Sequence, residues 1–146
     1  MHLSIELDRA LLHGTSVGGA RPKATLADQI RARFTNSAAM RELFARITFN
    51  ILIGNTDDHA RNHVAFWNGD EPTLTPAYDI CPYPRSGGEA AQVMAIDRVG
   101  TRRSQVAVCV ACAEIYHLDA DEAHAIIDEQ IDTIPPTLRK FATSPK

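Results

Sequence analysis

The most regular hydrophobic pattern in the chain runs from 38 to 53. Apolar residues recur there at steps of three and four, which predicts a helix with one buried stripe. The stripe comprises Met40, Leu43, Phe44, Ile47, Ile51 and Leu52. Asn36 or Ser37 suits the cap at the start of this helix, and Gly54 is typical of a helix end. A polar loop over 55–63 is expected to follow.

Strand patterns are short and lie in the middle of the chain. The segments 64–67 and 73–75 read as two strands, and Asn68-Gly69-Asp70 between them is typical of a hairpin turn. Proline and glycine predict a loop over 80–90, and residues 92–96 suggest a further strand. The sheet content is therefore expected to be small.

Two more helices are predicted in the last third of the chain, the first over 104–117. The second begins at Asp119, because Glu122 three residues later completes a capping-box pattern. Its buried positions are expected to be Ala123, Ile126, Ile127, Ile131 and Ile134. A shorter amphipathic helix is expected over 26–34. The fold class predicted from these elements is α+β and mostly helical.

Composition narrows the classes of protein that fit the chain. Its 146 residues suit one domain of ordinary size, and an apolar share of 45% can form a core. A formal charge of −3 argues against direct nucleic-acid binding, which needs a basic face. No apolar run reaches the ~18–20 residues of a membrane span. A cytoplasmic protein is expected, with Cys109 and Cys112 as core thiols rather than metal ligands.

An unusual density of polar side chains follows the buried helix, in the stretch from Thr56 to His63. Asp57 and Asn62 stand five residues apart, the spacing of the aspartate and asparagine in a kinase catalytic loop. Such a loop needs a carboxylate for the proton of the substrate hydroxyl and an amide oxygen for a metal ion. A second metal-binding carboxylate must follow a hairpin, and Asp79 has that position. For each residue alone, turn capping is the ordinary alternative.

The segments 49–62 (Phe-Asn-Ile-Leu-Ile-Gly-Asn-Thr-Asp-Asp-His-Ala-Arg-Asn) and 76–79 (Pro-Ala-Tyr-Asp) resemble the C-terminal kinase lobe of HipA-family proteins. These are serine/threonine protein kinases that act as the toxins of bacterial toxin–antitoxin pairs. The resemblance covers roughly 36–134. It implies phosphoryl transfer from ATP with Mg²⁺, Asp57 as the catalytic base, and Asn62 and Asp79 as metal ligands. It also implies catalytic-loop roles for two further residues, His59 and Arg61.

Residues 14–24 resemble the glycine-rich phosphate loop of the same family. The positions that the resemblance assigns to the nucleotide are Ser16, Val17, Gly18, Gly19 and Lys23. The stretch is not a Walker loop, because Ala20 stands where that motif requires lysine. The resemblance therefore divides the chain into a remnant of the nucleotide-binding lobe, 1–35, and a kinase C-lobe, 36–146.

The chain departs from the family after Leu26. The family continues there with the lysine that holds the α/β-phosphates, its acidic partner and the adenine-binding hinge, whereas this chain passes almost directly to the helix before the catalytic loop. The amino-terminal domain of full-length HipA is also not represented. Weak or absent kinase activity of the isolated chain is therefore expected, as in a pseudokinase, because phosphoryl transfer depends on positioning.

Two other functions fit the same residues. The chain could be a non-catalytic module that binds a HipB-like antitoxin, a kinase partner, or another copy of itself that covers the missing lobe. It could also be a metal-dependent hydrolase that uses Asp57, His59 and His63. The hydrolase hypothesis requires both histidines to face one ion.

Overall fold

The structure is a computed structural model, and it describes residues 37–67, 72–84 and 89–139. Four α-helices, two 3-10 helices and one two-stranded sheet make up this part of the chain: α1 Ser37–Leu52, a 3-10 helix Ala60–Asn62, β1 Ala65–Trp67, β2 Pro72–Leu74, α2 Val106–Ala111, a 3-10 helix Ala113–Tyr116, α3 Ala120–Thr133 and α4 Pro136–Arg139. The elements expected before residue 36, the glycine-rich stretch included, lie outside the described residues.

The α+β, mostly helical fold class is confirmed. Helices predominate among the described residues, and the one named sheet there is a two-stranded hairpin. None of the helices in this part of the chain is long and apolar enough to cross a lipid bilayer.

Helix α1 is the centre of the core. The predicted stripe is buried in full: Met40, Leu43, Phe44, Ile47, Ile51 and Leu52. Burial extends beyond the stripe to Thr48 and Asn50, because α2, α3, β2 and the second 3-10 helix pack around it. Phe44 meets Tyr116 edge to face, with the ring centroids 5.4 Å apart.

The predicted hairpin is confirmed, with slightly shifted ends. Strands β1 and β2 are antiparallel, and Phe66 lies opposite Thr73. The backbone N–H of Thr75 donates to the carbonyl of Val64 at 2.9 Å, which extends the pairing by one step. The Asn-Gly-Asp turn lies outside the described residues.

The strand expected over 92–96 does not form. This segment belongs to an irregular loop with an isolated bridge between Ala91 and Arg103. Met94, Ala95 and Ile96 are all buried, whereas a half-buried strand would alternate its faces. Asp97 accepts hydrogen bonds from the backbone of Val99 and Thr101, and this local turn replaces a continuous ladder.

The helix expected over 104–117 is shorter and is broken in two. Helix α2 ends at Ala111, and a 3-10 helix follows over Ala113–Tyr116. His117 then adopts a left-handed backbone conformation with φ of 60°, which ends the element. The apolar pattern is continuous across this break, so periodicity gave no sign of it.

The prediction of buried thiols is confirmed for Cys109, which is fully buried. Burial raises the pKa of the Cys109 thiol to about 12. Cys112 is half-buried and packs against the same core. Both residues thus act as small apolar side chains, and burial keeps the Cys109 thiol in its unreactive, protonated form.

Helix α3 begins with the predicted capping box. Asp119 accepts from the backbone of Glu122 at 2.8 Å, and Glu122 accepts from the backbone of Asp119 at 3.0 Å. The helix buries Ala123, Ile126 and Ile127. It ends at Thr133, just before the proline pair predicted to end it, and the second proline starts α4.

Loss of the cap should destabilise α3 measurably. Asp119→Ala removes the side-chain acceptor of the box and is expected to lower the free energy of unfolding by about 1 kcal/mol. Asp128→Ala, at an exposed position inside the same helix, is the matched control and should change it by less than about 0.5 kcal/mol. Urea unfolding followed by circular dichroism measures both values, and equal losses would show that the cap is not the cause.

Candidate active site

The end of helix α1 positions the polar loop. Gly54 takes a positive φ of 76°, which turns the chain out of the helix. The backbone N–H of Asn55 then donates to the carbonyl of Asn50 at 2.8 Å. The side-chain amide of Asn55 donates to Asn50 Oδ1 at 3.1 Å, and its Oδ1 accepts from the backbone N–H of Asp57 at 3.3 Å. The first residues of the loop are thus tied to the buried helix.

Asn62 and Asp79, predicted as metal ligands, lie together. Asn62 Nδ2 donates to Asp79 Oδ2 at 3.2 Å across 17 positions of sequence. Asn62 is buried at the end of its 3-10 helix, and Asp79 is exposed. The hairpin that separates them in the chain folds back and returns the second residue to the first.

Asp79 has an unusual backbone conformation, with a φ of 58° in the left-handed region. Few residues other than glycine adopt it, although aspartate tolerates it better than most. Asn55 Nδ2 donates to the carbonyl of Asp79 at 3.3 Å and helps to hold this conformation. Backbone strain of this kind concentrates at functional sites.

Asp57, predicted as the base, is open to solvent, with 70% of its side chain exposed. Its Oδ1 lies 3.0 Å from Nε2 of His59, whose side chain is 25% exposed. Two of the predicted catalytic residues are therefore neighbours at the surface, where a substrate can reach the carboxylate.

The side chain of Arg61, the third predicted catalytic residue, is exposed. Its carbonyl accepts a hydrogen bond from the hydroxyl of Tyr78, which precedes Asp79. This bond fixes the segment around Asp79 against the polar loop over 55–63. Tyr78 directly precedes Asp79, a predicted metal ligand. That position was the sequence signal available for the role of Tyr78 in linking the two segments.

Tyr83 is a residue near the site that the sequence did not indicate. A hydrogen bond and a charge interaction with Cys81 raise the pKa of its hydroxyl, and the carboxylates of Asp57 and Asp79 add to the effect. Tyr83 is 54% exposed. Both carboxylates thus act on one exposed hydroxyl, although no periodic pattern or motif includes Tyr83.

Asp58 and His63 form a separate, buried pair. His63 Nε2 lies 2.8 Å from Asp58 Oδ1, and the side chains are only 2% and 4% exposed, respectively. The two imidazoles of the loop therefore pair with different carboxylates, His59 with Asp57 and His63 with Asp58. This separation gives the hydrolase hypothesis no support.

The donor set at the Asn62–Asp79 pair fits Mg²⁺. Carboxylate and amide oxygens are the hard ligands that this ion prefers, and it usually keeps waters and phosphate oxygens in its remaining positions. Across the described ranges, no group of three or more histidine, cysteine, aspartate or glutamate residues gathers to form an all-protein cage. A site that shares its ion with a nucleotide requires only a few protein ligands.

A family model, the HipA-like C-terminal domain, matches residues 24–138, which is most of the chain. The chain belongs to this family. The match confirms the resemblance and spans every residue of the loop and of the Asp79 segment. Neither the curated proteins nor the solved structures contain a match to the chain.

The nucleotide-binding residues predicted in the HipA-like chain lie outside the described residues: Ser16, Val17, Gly18, Gly19 and Lys23. The described part of the site therefore consists of the polar loop over 55–63 and the Asp79 segment.

The same substitution should cost far more stability at Asp58 than at its neighbour Asp57. Asp58→Ala leaves a buried imidazole without its carboxylate and is expected to lower the free energy of unfolding by about 3–5 kcal/mol. Asp57→Ala, one position earlier and exposed, should cost less than about 1 kcal/mol. Urea unfolding measures both. Similar losses would mean that the two carboxylates do not have the different roles that their burial indicates.

Proposed function

We propose that the chain is a HipA-like serine/threonine kinase domain of a toxin–antitoxin pair, weak or inactive by itself. The observation that carries the proposal is the 3.2 Å contact between Asn62 and Asp79, two residues that the family resemblance assigns to one metal ion. The exposed carboxylate of Asp57 on the same loop supports it further.

In this proposal Mg²⁺, when bound, neutralises charge that develops on the phosphates. Asn62 and Asp79 would contribute the amide and carboxylate oxygens that hold the ion. Asp57 orients the substrate hydroxyl and accepts its proton, for which an exposed carboxylate is suited. His59, 3.0 Å from Asp57, holds that carboxylate in place.

Weak activity of the isolated chain follows from what it lacks by comparison with the family. Its three lysines are Lys23, Lys140 and Lys146, so Lys23 alone is near a phosphate-loop pattern. The proposed metal ligands and base position the reacting groups. Binding of adenine and of the α/β-phosphates requires further contacts from a second lobe. A low kcat with a high KM is expected.

The metal–phosphate part of the proposal predicts a thermal shift with Mg²⁺-ATP. Ligand at ~100 times its dissociation constant should stabilise the chain by about 2.7 kcal/mol, a shift of several degrees in Tm. Asp79→Asn keeps the shape of the side chain but removes its charge, so the shift should vanish. Differential scanning fluorimetry measures it.

Asp128→Asn, on the exposed face of α3, removes the same charge elsewhere and should leave the shift intact. A shift that survives Asp79→Asn would place the nucleotide away from this residue. No shift in the wild-type chain would refute the metal–phosphate site and leave the binding-module function.

One observation favours partner binding as a second function. Several large apolar side chains are exposed in the hairpin and in the segment after it: Val64, Phe66, Tyr78, Ile80 and Tyr83. A large, contiguous exposed apolar patch is typical of a surface that meets another protein, and these five side chains are proposed to form one. Among the partners considered, a second copy of the chain is the one that can be tested with the chain alone.

Self-association through this surface predicts a concentration-dependent mass. Phe66 is 57% exposed, and Phe66→Ser should weaken the dimer at least tenfold, since aromatic anchors dominate interface energies. Val99→Ser changes a residue that is 89% exposed on the separate 97–101 turn and should have no effect. Sedimentation equilibrium measures the constants, and a monomer at all concentrations would exclude self-association.

A further inference from the structure

A partly open cavity of about 180 Å³ is lined by Asn62 and by Tyr78 and Ile80, the two neighbours of Asp79. Helix α1, the polar loop over 55–63 and the segment around Asp79 each contribute to its wall. Most of the wall is apolar, with Phe49, Tyr78 and Ile80 as its largest members. An apolar cavity of roughly 150 Å³ is large enough to take up benzene, so this one has room for a single aromatic ring.

Two polar side chains in the wall are buried and incompletely paired. The side chain of Arg46 is 10% exposed. Its Nε donates a hydrogen bond to Glu42 Oε1 at 2.8 Å, and its Nη2 donates to the carbonyl of Thr75 at 2.6 Å. Its Nη1 is buried and has no hydrogen-bond partner among the described residues. A buried guanidinium N–H without an acceptor is unfavourable, and it marks a position where an acceptor atom is missing.

In His63 the atom that lacks a hydrogen-bond partner among the described residues is the ring nitrogen Nδ1. Its Nε2 faces the carboxylate of Asp58, so Nε2 carries the proton of that hydrogen bond. Nδ1 is buried and lacks a partner in the described part of the chain. In a neutral ring Nδ1 accepts a hydrogen bond, and in a protonated ring it donates one. A hydroxyl group satisfies either state, and it also supplies an acceptor for Arg46.

We propose that this cavity binds a small aromatic molecule carrying a hydroxyl, or another group that both donates and accepts a hydrogen bond. The ring fits the apolar wall, and the polar group completes the pairing of Arg46 or His63. The binding requires neither nucleotide nor metal, so it goes beyond phosphoryl transfer and stands or fails independently of it.

The place of the cavity gives such a ligand a direct contact with the candidate active site. Tyr78 and Ile80 precede and follow Asp79, and both line the cavity together with Asn62. An occupant therefore touches both neighbours of one proposed metal ligand and the side chain of the other. The backbone amides of residues 78–80 are accordingly the reporters to follow.

Phenol and toluene form a matched pair of probes, because they have nearly the same size and differ in a hydroxyl and a methyl group. Each is titrated into ¹⁵N-labelled protein and followed by the amide shifts of 78–80. Phenol should bind saturably and at least tenfold more tightly than toluene. Equal affinities would overturn the polar part of the proposal, and no saturable shift with either probe would mean that the cavity holds only water.

Two variants locate the site. Arg46→Met keeps most of the stem but removes the donors, so the preference for phenol over toluene should fall, with His63 Nδ1 left as the remaining polar partner; the exposed Arg41→Met is its control and should keep the wild-type preference. Ala77→Leu adds bulk to the wall and should abolish the binding of both probes, whereas Ala125→Leu on the exposed face of α3 should not. Unchanged binding in Ala77→Leu would place the probes elsewhere. If Arg46→Met does not fold, the comparison of the two probes on wild-type protein still decides the polar part.

Discussion

The site depends on one buried amide, the side chain of Asn55. Only 2% of this residue is exposed, so its polar atoms must find partners inside the protein. It donates to Asn50 on helix α1 and to the carbonyl of Asp79, and it accepts from the backbone of Asp57. A single side chain thus contacts the rigid helix, the start of the polar loop and the returning segment. An apolar residue of the same size would leave three elements without this link.

Burial assigns different tasks to residues that look equivalent in the sequence. Asp57 and Asp58 are neighbours of the same type, and each pairs with a histidine of the same loop. Asp57 remains open to water, which solvates its carboxylate and leaves it accessible. Asp58 is enclosed with His63, where charge or hydrogen-bond pairing is needed for the carboxylate to be tolerated at all. The buried Asp58–His63 pair therefore fixes the loop that carries the more exposed Asp57–His59 pair.

The sequence predicted those parts of the fold that show a regular hydrophobic period or a local sequence signature. Helix α1, the hairpin and the capping box of α3 all belong to this kind. Family resemblance assigned Asn62 and Asp79 to one metal ion, and the structure brings the two side chains within 3.2 Å, whereas their role as ligands stays a prediction. The break after Ala111 and the irregular path of 92–96 were missed, because tertiary packing overrode an apolar pattern that continued unchanged. Sequence spacing alone could not show that His63 pairs with Asp58 in the interior whereas His59 pairs with Asp57 near the surface. Only burial distinguishes the two pairs.

The hydrogen bond between Asn62 and Asp79 bears on how a metal would be bound there. It holds the two side chains together before any ion arrives, which lowers the entropic cost of assembling the ligands. It also occupies Asp79 Oδ2, so an ion coordinated through that oxygen must compete with an amide N–H, whereas one bound through Oδ1 need not. A protein that supplies only these two side chains leaves most of the coordination to water and phosphate. Under the proposed function, affinity for the ion and affinity for the nucleotide would then be coupled, and a chain that held the nucleotide poorly would hold the metal poorly too.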